Sequence, residues 1–230
     1  MRYPDTVAGT FIERPNRFIA YAEINGKTEK CHVKNTGRCK ELLIQGAKAV
    51  LSVSDNPDRS TAYDLIGIYK GDMLVNIDSQ APNKAVAESI RRIPGFESAD
   101  EVRPEYRYGA SRIDIFAKAG STKKLMEVKG VTLEKDGTAL FPDAPTERGL
   151  KHVRELEASL KEGYEAYMMF LIQMTGPTAF SPNYDMHEEF ALEVERAQKM
   201  GVKVLAYDCR VTEDTMSLGK PIDVVFRDYS

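Results

Sequence analysis

The chain lacks the features that would place it in a membrane, in an oxidising compartment or along a polyanion through its overall charge. None of its 230 residues belongs to an apolar run long enough to span a bilayer, which excludes a helical membrane protein. The first residues, Met1 to Phe18, contain neither an apolar core nor a small-residue cleavage site, so a cytoplasmic protein with no membrane partner is expected. Cysteine is scarce. Cys31, Cys39 and Cys209 are an odd number in a chain that is not small, which argues against a disulfide framework and for reduced thiols. Cys31, His32 and Cys39 also lack the spacing of a zinc site. A net charge of -3 provides no global field for phosphates, so any nucleic-acid surface must be local. Internal repeats and low-complexity segments are missing as well.

What is present describes an ordinary globular protein, 42% apolar and 29% charged, long enough for a small domain joined to a medium one. Its charge is polarised. Residues 27–48 hold Lys27, Lys30, Lys34, Arg38, Lys40 and Lys48 against Glu29 and Glu41, whereas 185–195 holds Asp185, Glu188, Glu189, Glu193 and Glu195.

From Thr10 to about Ile77 the pattern is one of strands and tight turns. Segments 17–24 and 28–33 flank Asn25-Gly26, a dipeptide suited to a type I′ hairpin. Further strands fit 47–54, 62–69 and 73–77, giving an all-β unit for which an OB-like barrel is one candidate among several small barrels. Near Pro82 the character changes. Asn83 reads as the N-cap of a helix over 84–92 that stops at Pro94-Gly95, so the expected division is 1–80 and 81–230. Strands follow at 101–108, 112–118 and 123–129, then a hairpin over 131–141 around Asp136-Gly137. A helix over 146–161, a strand over 166–174, a helix over 187–200 and a strand over 202–207 complete the pattern. This order predicts an α/β unit with a mixed sheet flanked by helices.

Along Lys124-Leu-Met-Glu-Val-Lys129 the strand period of two puts Glu127 and Lys129 on one face and Met126 and Val128 on the other. Asp114, between Ile113 and Ile115 in the neighbouring strand, converges on Glu127 if the register is right. Two carboxylates at one point repel, and a hard cation such as Mg²⁺ neutralises them. A lysine beside it could orient water or stabilise phosphate charge. From spacing alone, solvent-facing strand residues or a cross-strand ion pair account for the same pattern.

Three blocks carry a further resemblance: Ser111-Arg112-Ile113-Asp114-Ile115-Phe116, Glu127-Val128-Lys129-Gly130-Val131-Thr132-Leu133, and residues 141–152, Phe-Pro-Asp-Ala-Pro-Thr-Glu-Arg-Gly-Leu-Lys-His. Together with Cys31-His32-Val33-Lys34-Asn35-Thr36-Gly37 they closely resemble the sugar fermentation stimulation protein A (SfsA) family over nearly the whole chain. The resemblance implies a DNA-binding protein with an OB-fold-like N-terminal domain and a restriction-endonuclease-like domain of the PD-(D/E)XK superfamily. It implies Asp114 as the first acid and Glu127 and Lys129 as the E-x-K pair, with Ile113 where the motif usually has proline. Glu88 matches a further acidic metal ligand of some members, unless it pairs with Arg91 or Arg92 along its helix.

Thr146 fits the N-cap of the later helix, whose face of Arg148, Lys151, His152 and Glu155 opposes Val153, Leu156 and Leu160. A basic face near a helix N-terminus suits phosphate. Asn35-Thr36-Gly37-Arg38 suits phosphate or sugar contact, or is a turn in which asparagine and glycine supply the backbone geometry.

The expected function is a Mg²⁺- or Mn²⁺-dependent nuclease acting on nucleic acid, DNA first, with Asp114, Glu127 and Lys129 catalytic and Asp114, Glu127 and Glu88 holding metal. Lys34, Asn35, Arg38, Lys40, Arg112, Arg148, Lys151 and His152 are the expected nucleic-acid contacts, and a homodimer stays open. The rival readings are a non-catalytic DNA-binding regulator of sugar (maltose) metabolism genes and a metal enzyme acting on a small molecule.

Overall fold

The first third of the chain curls into a closed ring of strands. The computed structural model describes all residues except Thr36, Pro57, Ala110, Tyr229 and Ser230. Strands β1 (Thr6–Glu13), β2 (Ile19–Ile24), β3 (Lys27–Val33), β4 (Lys48–Val53), β5 (Tyr63–Lys70) and β6 (Met73–Asn76) form one sheet. Its antiparallel ladder closes through a parallel pairing of β3 with β5, giving the ring β1-β2-β3-β5-β4 with β6 appended to β5. This is a five-stranded OB-like barrel. Asn25 and Gly26 both take positive φ, as a two-residue type I′ turn requires. Sequence reading began the β pattern only at Thr10, yet β1 starts at Thr6. Gly9 sits inside that strand because a Cβ there would meet the Glu23 carbonyl oxygen at 2.9 Å and Leu51 at 2.8 Å.

The remaining two thirds open with α1 (Ala81–Ser89), whose N-cap position is Gln80, with Pro82 in the first turn. The expected cap at Asn83 is therefore corrected. Proline lacks the N–H that a first turn leaves unpaired, so the helix starts before Asn83 and frees that amide side chain. Then come β7 (Glu101–Tyr108), β8 (Ser111–Ala119), β9 (Thr122–Val131), β10 (Leu133–Lys135), β11 (Thr138–Phe141), α2 (Glu147–Leu160), β12 (Glu165–Ile172), β13 (Ala179–Pro182), α3 (Glu188–Met200), β14 (Lys203–Val211), β15 (Met216–Pro221) and β16 (Asp223–Val224). The main sheet has the order β15-β14-β12-β9-β8-β7, with β12 parallel to both β9 and β14 and the other pairs antiparallel. A smaller sheet, β10-β11-β13-β16, packs beside it. No described helix is long and apolar enough to cross a membrane.

The main sheet is covered on both faces. Leu125 and Val131 of β9 pack with Val153 and Leu156 of α2 and Phe190 of α3, whereas Met126 and Val128 pack with Ala85 and Val86 of α1. Each such side chain, fully buried, contributes roughly 1.5–3 kcal/mol. Period-two alternation along β9 thus aims Glu127 and Lys129 at α2. Helix α2 begins where Thr146 Oγ1 accepts from the Gly149 N–H at 3.0 Å. Thr146→Ala should lower unfolding stability by about 1 kcal/mol in a urea titration, since that N–H loses its cap.

A buried polar network joins the two parts. Gln173 at the end of β12 donates to Asn76 Oδ1 (3.1 Å) and to the Asp78 carbonyl (3.0 Å), while Asn76 Nδ2 and the Asp78 carboxylate both meet the Tyr3 hydroxyl. The network fixes the chain just ahead of α1, and through it Asn83.

Candidate functional site

The β8–β9 ladder runs from Ala119 opposite Thr122 to Ile115 opposite Met126 and stops there. One rung further on, Asp114 leaves the ladder, and its side chain takes over as acceptor. Oδ2 receives the Val128 N–H at 2.8 Å, and Oδ1 receives Asn83 Nδ2 at 2.7 Å. On the other side of β8, β7 pairs Pro104 with Ile115 and Tyr106 with Ile113, and Glu105 between them takes the left-handed region at φ 51°. Across this stretch the strand turns over. Ile113 joins the core beneath α2 and Ile115 the core beneath α1, although plain alternation would put both on one face.

Glu127, 1% exposed, lies inside the site. Its Oε1 accepts from Lys129 Nζ at 2.6 Å and contacts His152 Nδ1. Its Oε2 is buried with no hydrogen-bond partner. A tautomer with the proton on Nδ1 of His152 donates to Glu127 and leaves Nε2 to accept from Arg148 Nε at 3.4 Å. The two acids are driven apart electrostatically. Burial, and then the charge of Glu127, push the Asp114 carboxyl up to about 6. Burial would raise Glu127 too, but His152 and Lys129 outweigh it and hold that carboxyl below the usual range. A carboxylate pair tuned in opposite directions, one member with an orphaned oxygen, suits binding a cation or handling a proton.

Asp114, Glu127 and Lys129 are brought together. Glu88 lines the same cleft as Asp114, but its largely exposed side chain pairs with the Met1 amine at 2.6 Å, and no three His, Cys, Asp or Glu side chains gather as a metal cluster among the described residues. The pairing of Glu88 with Arg91 or Arg92 does not form either; Arg91 reaches the Ala99 carbonyl and Arg92 the Leu218 carbonyl.

His152, expected beside Arg148 and Lys151 on the basic phosphate-binding face of α2, is 5% exposed and points at Glu127. Gly149, His152, Val153 and Leu156, at i, i+3, i+4 and i+7, form the inward stripe, and that spacing carried the signal. Arg148 and Lys151 do stay exposed, Lys151 facing Glu155 at 3.6 Å. Arg112 is exposed and paired with Glu105 at 2.9 Å.

In the barrel, Lys34 is drawn inward to Asp64 (3.0 Å) and Asp78 (3.9 Å). Asn35 is a turn residue, donating to the Ile77 carbonyl and accepting the Gly37 N–H. Both side chains are already engaged within the protein, Lys34 by two carboxylates and Asn35 by backbone groups. Thr36 lies outside the described residues. Arg38 and Lys40 are exposed. Asn83 is the site residue that sequence reading missed.

An OB-like barrel followed by a mixed sheet of restriction-endonuclease type places the chain in a two-part α/β class. Family models match both parts, the SfsA N-terminal OB domain over residues 12–77 and the sugar fermentation stimulation protein RE domain over residues 80–215. The chain belongs to the sugar fermentation stimulation protein family. A homolog of that protein in Desulfitobacterium hafniense is 50% identical, the match covering 97% of this chain and 98% of the relative. One in Clostridium beijerinckii is 48% identical over 98% of this chain and all of the relative. The fold is also that of a solved structure described as Pyrococcus furiosus SfsA in complex with Ca²⁺, with a TM-score of 0.89, 24% identity and 98% coverage of each chain.

Proposed function

We propose that this protein binds nucleic acid, DNA in the first instance, and hydrolyses phosphodiester bonds with a divalent cation held by Asp114 and Glu127. The observation that carries the reading is the orphaned Oε2 of Glu127, buried beside a second carboxyl that burial, and then the charge of Glu127, pushes upward. A buried acceptor without a partner costs about 1–3 kcal/mol, and more when charged, which a cation removes. Two protein carboxylates suit Mg²⁺ or Mn²⁺, because Mg²⁺ keeps several of its own waters. The Ca²⁺ described for the Pyrococcus furiosus relative supports a hard divalent ion here as well. Once bound, such an ion supplies an activated water and withdraws charge from the scissile phosphate.

The chain's own residues do the rest. Asn83 and the Val128 N–H fix the orientation of Asp114, and His152 fixes that of Glu127. The Lys129 ammonium, 15% exposed, is held at the mouth of the site and stabilises charge developing on phosphate oxygens. Arg148, in the first turn of α2, attracts phosphate together with the unpaired helix N–H groups. In this reading residues 1–80 serve chiefly to hold substrate and 81–230 to cleave it.

Labelled DNA and RNA, single- and double-stranded, incubated with Mg²⁺ or Mn²⁺, should be cut by the native chain and left whole with EDTA or by Glu127→Ala. Binding without cleavage under every condition would favour the non-catalytic DNA-binding regulator. Absence of any nucleic-acid affinity would leave the small-molecule metal enzyme. Mn²⁺ titrated in a calorimeter should bind the native chain and not Asp114→Ala; equal heats from both would remove the metal from these residues.

A further inference from the structure

We propose that the cleft between the β1–β2 and β3–β4 loops of the barrel binds a single-stranded segment of nucleic acid, with bases on Phe18 and phosphates on Arg17, Arg38 and Lys40. The inference rests on the nucleic-acid reading above and names the form of the strand. The cleft is about 660 Å³, with Phe11, Ile12 and Leu43 giving it an apolar lining and Arg17, Arg38 and Lys40 giving it charge. Glu13 is the one carboxylate among the residues that line it. None of the three cations forms an ion pair with a described residue. This contrasts with Lys34, drawn inward a few residues away.

The loops that carry these cations are fixed to one another. Arg14 donates to the carbonyls of Gly37 (2.8 Å), Arg17 (2.7 Å) and Asn35 (2.5 Å), stitching the β1–β2 connection to the segment that follows β3. Asp143, in the loop before α2, accepts the Arg38 N–H at 3.0 Å and so anchors the same segment to the second half of the chain. Gly37 lines this cleft and also a smaller one of about 310 Å³ whose lining includes Gly130, the residue after Lys129. The barrel cleft is thereby preorganised, and through Gly37 it adjoins the smaller cleft that reaches Gly130.

Exposed apolar side chains identify the form of the ligand. Five large ones are exposed among the described residues, and two of them, Phe18 at 51% and Ile44 at 60%, flank this cleft in sequence, next to the lining residues Arg17 and Leu43. The Asn16 side chain holds the Phe18 N–H at 2.9 Å, and the Arg17 guanidinium lies 5.8 Å from the centre of the Phe18 ring. In a duplex the base faces are stacked on one another and only their edges reach the grooves, so an exposed ring gains nothing from it. A single strand offers a free π-face at every base, with backbone charge alongside, which matches the cations that line the cleft and the Phe18 ring next to Arg17 at its edge. An acidic peptide would satisfy the cations but leave the ring unused.

The test is fluorescence anisotropy of the full chain in EDTA with labelled oligo(dT), oligo(rU) and a duplex, each of about fifteen nucleotides per strand. Oligo(dT) or oligo(rU), or both, should bind at least about tenfold more tightly than duplex. Phe18→Ala should weaken single-strand binding by about 5- to 100-fold and Phe18→Tyr should restore it. Neutralising Arg17, Arg38 and Lys40 together should reduce the salt slope by about two. Duplex binding as tight as single-strand binding, an ineffective Phe18→Ala, or displacement of oligo(dT) by polyglutamate as readily as by unlabelled oligo(dT) would each overturn the proposal. Phe18 is half exposed, so circular dichroism of Phe18→Ala should match the native chain and separate lost binding from lost folding. Because no metal is present, failure here leaves cation binding at Asp114 and Glu127 untouched, and a chain without nuclease activity could still pass.

Discussion

Replacing Lys129 by methionine is expected to lower phosphodiester cleavage by about 10²–10³-fold in kcat while leaving nucleic-acid affinity within about twofold. The ammonium is one of many cations that attract a polyanion, so little ground-state binding is lost with it. Its value lies in position. Nζ is held 2.6 Å from Glu127 Oε1 and 3.2 Å from His152 Nδ1, so it needs no reorganisation when charge develops on a phosphate oxygen. Methionine keeps the length of the side chain and removes the charge. Since Lys129 also pairs with Glu127, the same variant should be titrated with Mn²⁺, and retained cation binding with lost turnover is the expected pattern. A Lys129→Met chain that cuts at the native rate would assign the cleavage to another site. Loss of cation binding in step with turnover would make Lys129 a support for Glu127 and not a partner of the phosphate.

Period two alone aimed Glu127 and Lys129 at one face of β9, and the structure agrees because both faces of that strand are filled by predictable apolar neighbours. The hairpin at Asn25-Gly26 was legible for a similar reason, since two successive positive φ values leave few residues to choose from. Convergence of Asp114 on Glu127 was legible only as a condition on register. It goes together with a left-handed Glu105 between Pro104 and Tyr106 in a third strand, and no local pattern in β8 reports the backbone conformation of its partner. His152 was misplaced because a polar residue was assigned to the basic side of an amphipathic helix, although its spacing from Gly149 and Leu156 pointed inward. Asn83 was hidden by its own chemistry: an asparagine near a helix start reads as a cap, and Pro82 moved that start ahead of it. Lys34 and Asn35 looked available for phosphate because their partners, Asp64, Asp78 and the Ile77 carbonyl, lie about thirty to forty residues away in sequence.

Asp64→Asn should destabilise the protein by about 2–4 kcal/mol near neutral pH, because Asp64 clamps the seam where the barrel closes. It stands opposite His32 in the parallel pairing of β3 with β5. Its buried carboxylate, 4% exposed, meets Arg59 Nη2 at 2.6 Å, Arg59 Nη1 at 3.1 Å, Lys34 Nζ at 3.0 Å and His32 Nδ1 at 3.1 Å. Asparagine keeps the shape and one acceptor but leaves two cations facing a neutral group. Those cations are about a quarter exposed, so water relieves part of the loss, which keeps the effect below that of a fully buried pair. Burial alone would raise this carboxyl; Arg59 and Lys34 outweigh it and bring it down to about 2. A folded value below the unfolded one, about 3.9 for aspartate, means the charge stabilises the native chain fully above that unfolded value. The advantage is lost progressively as pH falls from that unfolded value through about 2, and below both values the carboxyl is protonated in either state. Urea titrations near pH 7 and near pH 2.5 should therefore show a large gap between the native chain and Asp64→Asn that narrows with acid. A gap of the same size at both pH values would mean that asparagine disturbs packing at the seam and that the carboxylate charge does not hold the barrel closed.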